Sequence, residues 1–188
     1  TDGTQTNGLF GVEGSMTYTH NNVFGGAEKL QLSVSGGIEM QRLIFASDSA
    51  ASTEVSEIAK TFNTLEFGVN DGVSTSLFST YCNRVVAVDM NTTDRLQKVL
   101  NEYKNIEFHQ MLFKDFTSKC EEKFDFIYID GMHNYNGVKE DIILSLNLIK
   151  EGGILSGHDF NSQNPGVITA VYEFFDKNDI EVFSDSSW

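Results

Sequence analysis

The segment Leu65–Asp89, LEFGVNDGVSTSLFSTYCNRVVAVD, opens on a short apolar run that reads as a buried strand over Thr64–Gly68. A glycine-bearing turn, Gly68-Val69-Asn70-Asp71-Gly72, leads into a helical stretch over Val73–Tyr81 with Ser74 and Thr75 in its first turn. A second apolar run, Val85-Val86-Ala87-Val88, ends on Asp89. Strand, glycine turn, helix, strand and acid in that order make the first half of a nucleotide-binding βαβ unit. The turn glycines let a ligand approach the backbone, and the helix start offers unpaired N–H groups. An acid at the tip of the second strand can accept from two ribose hydroxyls. The dinucleotide fingerprint Gly-x-Gly-x-x-Gly is broken, because Asn70 stands at its second glycine.

The chain of 188 residues allows one medium domain, or one domain with an appendage. An apolar fraction of 40% and fifteen phenylalanines supply a core. The formal net charge of −14 repels phosphate backbones, so nucleic acid is not the expected partner. Cys82 and Cys120 make no metal or redox spacing and fit a reducing compartment. No apolar run is long enough to span a membrane and no signal peptide is visible, so a cytoplasmic protein is expected. The sequence opens on Thr1 rather than Met, which reads as a processed chain or a fragment.

Residues 1–45 differ from the rest. Two alternating stretches, Ser15–His20 and Leu30–Ser35, flank the turn-rich Asn21-Asn22-Val23-Phe24-Gly25-Gly26, which reads as a β-hairpin extension. Its wording, GVEGSMTYTHNNVFGGAEKLQLSVSGGIE, resembles the opening strands of bacterial outer-membrane barrel-assembly proteins, which leaves open a fused barrel fragment. From residue 46 a single domain is expected. Ser52–Lys60 reads as a short amphipathic helix. Beyond Thr61 strands alternate with helices: a helix over Thr93–Tyr103, a strand over Ile106–Gln110, a short crossover over Phe113–Lys119 and the strong strand Phe124–Asp130. A helix over Val138–Ile149 with an Ile142, Ile143, Leu146, Ile149 stripe, a strand Ile154–Gly157, a helix Gly166–Phe175 and a last strand Ile180–Phe183 complete it. That alternation predicts an α/β fold: a doubly wound, mostly parallel sheet with ligands at the strands' C-terminal ends.

The fourth strand of this unit ends in Asp130-Gly131-Met132-His133 and the fifth in Gly157-His158-Asp159. In a parallel sheet both tips open on the same crevice as Gly68–Gly72 and Asp89. Charged and imidazole groups at the ends of apolar strands are costly to keep there without a partner, so their convergence points to a site.

The runs LEFGVNDGVST, VVAVDM, FDFIYIDGMHNYNGVKEDI and LIKEGGILSGHDF resemble the class I S-adenosylmethionine-dependent methyltransferases over residues 61–188. Within them the chain is closest to small O-methyltransferase-like proteins carrying an Asp-x-x-His motif. The resemblance implies a Rossmann-like fold and S-adenosylmethionine as cofactor, with Glu66, Gly68, Asn70 and Gly72 around its methionine end and Asp130 nearby. Asp89 would hold the ribose hydroxyls and Asp115, in the segment Phe113–Phe116, would meet the adenine amino group. Some relatives hold a magnesium ion with carboxylates at positions matching Asp130, Asp159 and the residue before the latter; here that residue is His158, a poorer ligand for Mg²⁺, which points either to no metal requirement or to a softer ion such as Mn²⁺ or Zn²⁺. The expected reaction is in-line methyl transfer to a hydroxyl of a small molecule, a sugar, antibiotic or similar metabolite, with His133 as base and Asp130 beside it.

Two other classes stay open on the sequence. An NAD-linked Rossmann enzyme fits the βαβ order, but Asn70 and the lack of a Tyr-x-x-x-Lys pair weigh against it. A non-enzymatic barrel fragment fits residues 1–45 alone. The methyltransferase domain is expected to lack its last strand, with Trp188 at the start of it, and the uncovered edge would be filled by the hairpin or by a neighbouring chain in a homo-oligomer.

Overall fold

The computed structural model describes residues 15–21, 29–35 and 59–188. Strands β1 (Ser15–Asn21) and β2 (Lys29–Ser35) pair antiparallel, from Ser15 opposite Ser35 to Asn21 opposite Lys29. The expected hairpin strands therefore form, while their connector at 22–28 and most of the expected helix Ser52–Lys60 lie outside the described residues.

The second sheet has five parallel strands: β3 (Asn63–Phe67), β4 (Arg84–Asp89), β5 (Ile106–Gln110), β6 (Phe124–Ile129) and β7 (Ile149–Gly157). Their spatial order is β5-β4-β3-β6-β7, so the chain reverses direction across the sheet between β3 and β6. Ligands of such sheets bind at that reversal, outside the strands' C-terminal ends. Leu65, Val85, Val86, Ala87 and Val88 are all buried, as expected of central strands covered on both faces.

Helix α1 (Val73–Tyr81) starts directly after Gly72, whose φ of 75° turns the chain from strand to helix. Helix α2 (Asp94–Glu102) is capped by Thr93, whose side chain accepts from the Leu96 N–H at 3.1 Å. Short helix α3 (Phe113–Thr117) crosses back towards β6. Helix α4 (Tyr135–Leu146) is capped by Asn134, whose Oδ1 accepts from the Gly137 N–H at 3.0 Å, and α5 (Pro165–Phe174) begins on its proline.

Three expectations are corrected. Helix α4 begins at Tyr135 because Asn134 caps it, and it buries Val138 and Ile142 while Ile143 and Leu146 stay exposed. Strand β7 starts at Ile149 rather than Ile154, running through Gly152-Gly153 with a register irregularity opposite Phe124 and Phe126. Residues Ile180–Phe183 form no strand; the Phe183 N–H bonds instead to Ser187 O at 2.9 Å across a turn. That turn brings Trp188 onto β7, where it and Gly157 exchange two backbone bonds of 3.0 and 3.1 Å. The reciprocal exchange is that of an antiparallel pair, so Trp188 does enter an antiparallel register on β7. Among the described residues β1 and β2 pair only with each other and do not cover that edge.

Candidate active site

The strand tips are held together by the backbone itself. Gly68 N–H donates to Val88 O at 3.1 Å, Asp130 N–H to Phe67 O at 2.9 Å, and His158 N–H to Ile129 O at 3.0 Å. These bonds stitch β4, β3, β6 and β7 into one rim, and above it lies a cleft of about 750 Å³. Gly68, Asn70, Asp89, Asp130, His133, His158 and Asp159 all stand on its wall. The structure thus gathers seven of the sequence-derived candidates at one place.

Three do not reach that wall. Glu66 is fully buried behind the turn, because side chains alternate along β3: Phe67 faces the cleft and Glu66 faces α1. Gly72 is buried against α2, where a β-carbon would stand 3.0 Å from Leu96 Cδ1. Asp115 is exposed on α3 and off the cleft wall.

Asp89 is fixed at both oxygens. Oδ2 accepts from the Asn70 N–H at 3.0 Å and Oδ1 from the Asn91 N–H at 2.9 Å. A carboxylate has about four lone-pair sites, so each oxygen keeps capacity for a ligand hydroxyl. Asn70 presents its N–H at a φ of 48°, a left-handed geometry that asparagine tolerates better than most residues. Its presence at the broken glycine position is thereby explained.

On the other side of the rim, His133 Nε2 lies 2.9 Å from Asp159 Oδ2 and 3.8 Å from Asp130 Oδ1. His158 Nδ1 lies 3.6 Å from Asp159 Oδ1 and 4.0 Å from Asp130 Oδ1. Burial pushes the Asp130 carboxyl up to about 6; His158 pulls it down, Asp159 adds to the rise and His133 opposes it. One ligand atom from each of Asp130, His133 and Asp159 lies within 4.8 Å of the others, a spacing suited to one metal ion. His133 rather than His158 completes that trio. The half-exposed Asp130–His133 turn carries the imidazole back over the β6 tip.

Two features escaped the sequence. The Phe67 and Phe113 rings stack with centroids 3.5 Å apart and planes 11° from parallel, lining the cleft with an aromatic wall. Asp141, on α4, also reaches the cleft, and burial raises its carboxyl to about 7, with Glu140 adding to the rise. Phe113 belongs to the segment expected beside the adenine, and it does line the cleft, though its stacking on Phe67 was not foreseen; Asp141 lies far from the motifs in sequence, and only the α4 crossover brings it in.

Buried Glu66 has a measurable consequence. Its Oε1 accepts from the Ser74 hydroxyl, and burial raises the carboxyl to about 7 against the opposing pull of the Ser74 and Thr75 hydroxyls. An acid raised in the folded state weakens folding where the unfolded chain has already ionised. Stability from this group is therefore full below pH 4.5 and falls as pH rises towards about 7. Glu66→Gln should remove that slope, melting well above the parent at pH 8, by up to about 3 kcal/mol, with the gain vanishing near pH 4. Thermal unfolding of both proteins across that range checks it; a gain that grows towards low pH contradicts it.

Comparison with known proteins follows the same lines. Residues 65–160 match the family described as a methyltransferase domain. No curated protein matches the chain by sequence. Among solved structures, the chain is similar to the N-methyltransferase NodS from Bradyrhizobium japonicum WM9 bound to S-adenosyl-L-homocysteine, with 17% identity and a TM-score of 0.51 over 71% of this chain and 83% of that one. It is similar to an rRNA methylase from Streptococcus thermophilus, with 13% identity and a TM-score of 0.53 over 67% and 80%. A third is the O-methyltransferase TomG from Streptomyces achromogenes, involved in tomaymycin synthesis and bound to S-adenosylmethionine, with 16% identity and a TM-score of 0.52 over 68% and 67%. With the family match spanning the turn, both acids and the Asp159 tip, this chain belongs to the methyltransferase-domain family and is a class I enzyme that uses S-adenosylmethionine.

Proposed function

We propose that the protein methylates a hydroxyl of a small molecule, with His133 as the base. The observation that carries this is the 2.9 Å contact between His133 Nε2 and Asp159 Oδ2 on the wall of the cofactor cleft. When bound, the cofactor supplies an electrophilic methyl group on a sulfonium sulfur. The chain's own residues do the positioning. Asp89 offers its remaining lone pairs to the ribose hydroxyls, and Gly68 and Asn70 line the turn beneath. A hydroxyl is a weak nucleophile near neutral pH and needs to lose its proton as it attacks. With Nε2–H donated to Asp159, Nδ1 of His133 is left to take that proton, and the Asp159 carboxylate stabilises the resulting imidazolium.

The fold leaves the acceptor atom open, since the similar structures include enzymes named for nitrogen, oxygen and rRNA methylation. Support for a small acceptor comes from the net charge of −14, which repels an RNA backbone, and from a cleft sized for small ligands. Residues 46–188 would be the catalytic unit and 1–45 an extension. Labelled-methyl transfer over panels of small hydroxylated compounds, small amines and RNA tests the proposal: label in a hydroxylated product supports it, and label only in RNA or amines overturns it.

Two more outcomes are expected. Asp89→Ala should weaken S-adenosylhomocysteine binding by about 1.5–3 kcal/mol, roughly ten- to a hundredfold, by calorimetry. Unchanged affinity would remove Asp89 from the ribose site. A second role for the Asp130–His133–Asp159 trio is favoured by its spacing. Two carboxylates and an imidazole fit Mn²⁺ or Zn²⁺ better than Mg²⁺, and such an ion would acidify a bound hydroxyl. If so, Mn²⁺ or Zn²⁺ should raise the melting temperature of the wild type but not of Asp159→Asn. Equal melting curves with chelator and with each ion would leave His133 as a base only.

A further inference from the structure

We propose that Asp185, exposed and off the cleft wall, is a positioning residue that holds the Asp159 carboxylate against His133. The inference rests on the Asp159–His133 pair of the proposed function and adds a residue that belongs to none of the strand-tip motifs. Asp159 has a φ of 63°, a left-handed geometry that a residue other than glycine keeps only where its surroundings fix it. Both of its neighbours are pinned. The His158 N–H donates to Ile129 O at 3.0 Å, and the Phe160 N–H donates to Ser186 O at 2.8 Å. The first bond ties the loop to β6, and the second ties it to the turn that closes between Phe183 and Ser187.

Ser186 is itself left-handed, with a φ of 72°, and its carbonyl reaches Phe160 only while that turn is closed. Two bonds close it around Ser186. The Ser186 N–H donates to Phe183 O at 3.0 Å, and the Ser187 N–H donates to Asp185 Oδ1 at 3.0 Å. The latter is an Asx-turn, in which a carboxylate accepts from the backbone two residues on and stands in for a turn carbonyl. Because that bond comes from a side chain, a substitution removes it and leaves every backbone group of the turn in place. The paired bonds between Trp188 and Gly157 anchor the segment separately, so the loss is local. From Asp185 the hold passes through Ser186 O and the Phe160 N–H to the Asp159 backbone, whose Oδ2 lies 2.9 Å from His133 Nε2. A contact of that length weakens steeply once the carboxylate shifts.

The test reads the loop and the reaction separately. Amide hydrogen exchange of the full chain, followed by NMR, should show the Phe160 amide exchanging at least about tenfold faster in Asp185→Ala than in the wild type. Asp185→Asn, whose Oδ1 still accepts from Ser187, should keep the wild-type protection. With a hydroxylated acceptor, Asp185→Ala should lower kcat by about tenfold, since a small misplacement at the reacting centre is costly. Affinity for S-adenosylhomocysteine should stay within about twofold, and Asp185→Asn should restore the rate. In a His133→Ala background the Asp185→Ala change should cost less than about twofold, because its effect runs through that imidazole. Unchanged Phe160 protection in Asp185→Ala overturns the inference, as does an equal loss of rate with and without His133. A matching loss of S-adenosylhomocysteine affinity overturns it too, since the turn would then support the whole cleft. If His133→Ala leaves the rate unchanged, the base of the proposed function fails, while Phe160 protection lost in Asp185→Ala still supports the hold on Asp159.

Discussion

Gly68→Ala is expected to destabilise the protein by more than about 3 kcal/mol, a large share of the stability of an ordinary domain. Gly68 has a φ of 84°, where a side chain is strained by about 1–2 kcal/mol before any contact is considered. A β-carbon there would also fall 1.9 Å from the carbonyl oxygen of Asp130 and 2.5 Å from the Gly131 nitrogen. Backbone cannot swing aside as a side chain can, so the β3 and β6 tips would have to part. The Asp130 N–H bond to Phe67 O would break with them. Gly72→Ala should cost less, because the atom in its way is a leucine methyl at 3.0 Å. Urea unfolding of both variants checks the order. A loss below about 1 kcal/mol for Gly68→Ala would mean that the two tips are not packed as described.

The largest effect on activity is expected at His133. His133→Ala should lower kcat/KM by about 10²–10⁴-fold, the usual contribution of a positioned general base. Its side chain is half-exposed, so melting temperature and S-adenosylhomocysteine affinity should hardly change. Asp159→Asn should give a smaller loss, since the amide keeps the ring's place but cannot stabilise an imidazolium. Steady-state kinetics with a hydroxylated acceptor supplies the measurement. A change in His133→Ala of less than about threefold would reduce the dyad to surface packing.

Much of this was legible in the chain because it depends on local order. The β3-turn-α1-β4 unit could be read from apolar runs, two glycines and a terminal acid, and α1 spans Val73–Tyr81 as the spacing indicates. Parallel topology follows from the alternation, and topology alone carries Asp130, His133, His158 and Asp159 to one rim. Side-chain direction was less legible. Glu66 lies one residue from the cleft-facing Phe67 and is buried off the cleft wall. The last strand failed for a related reason. Ile180–Phe183 has the right residue types, but a turn closed between Phe183 and Ser187 carries the chain to β7, so pairing goes to Trp188. Asp141 belongs to a crossover whose packing no local pattern records.

The central claim is that the Asp159–His133 pair directs the methyl group to oxygen on a small molecule. The direct measurement is the identity of the methylated atom. After reaction with S-adenosylmethionine carrying a carbon-13 methyl group, the product is isolated and its methyl carbon assigned by NMR, for the wild type and for His133→Ala. The account predicts a methoxy product from the wild type and a steep loss of it in the variant. A methyl group found on nitrogen, carbon or RNA, or a methoxy product formed equally fast without His133, would contradict it.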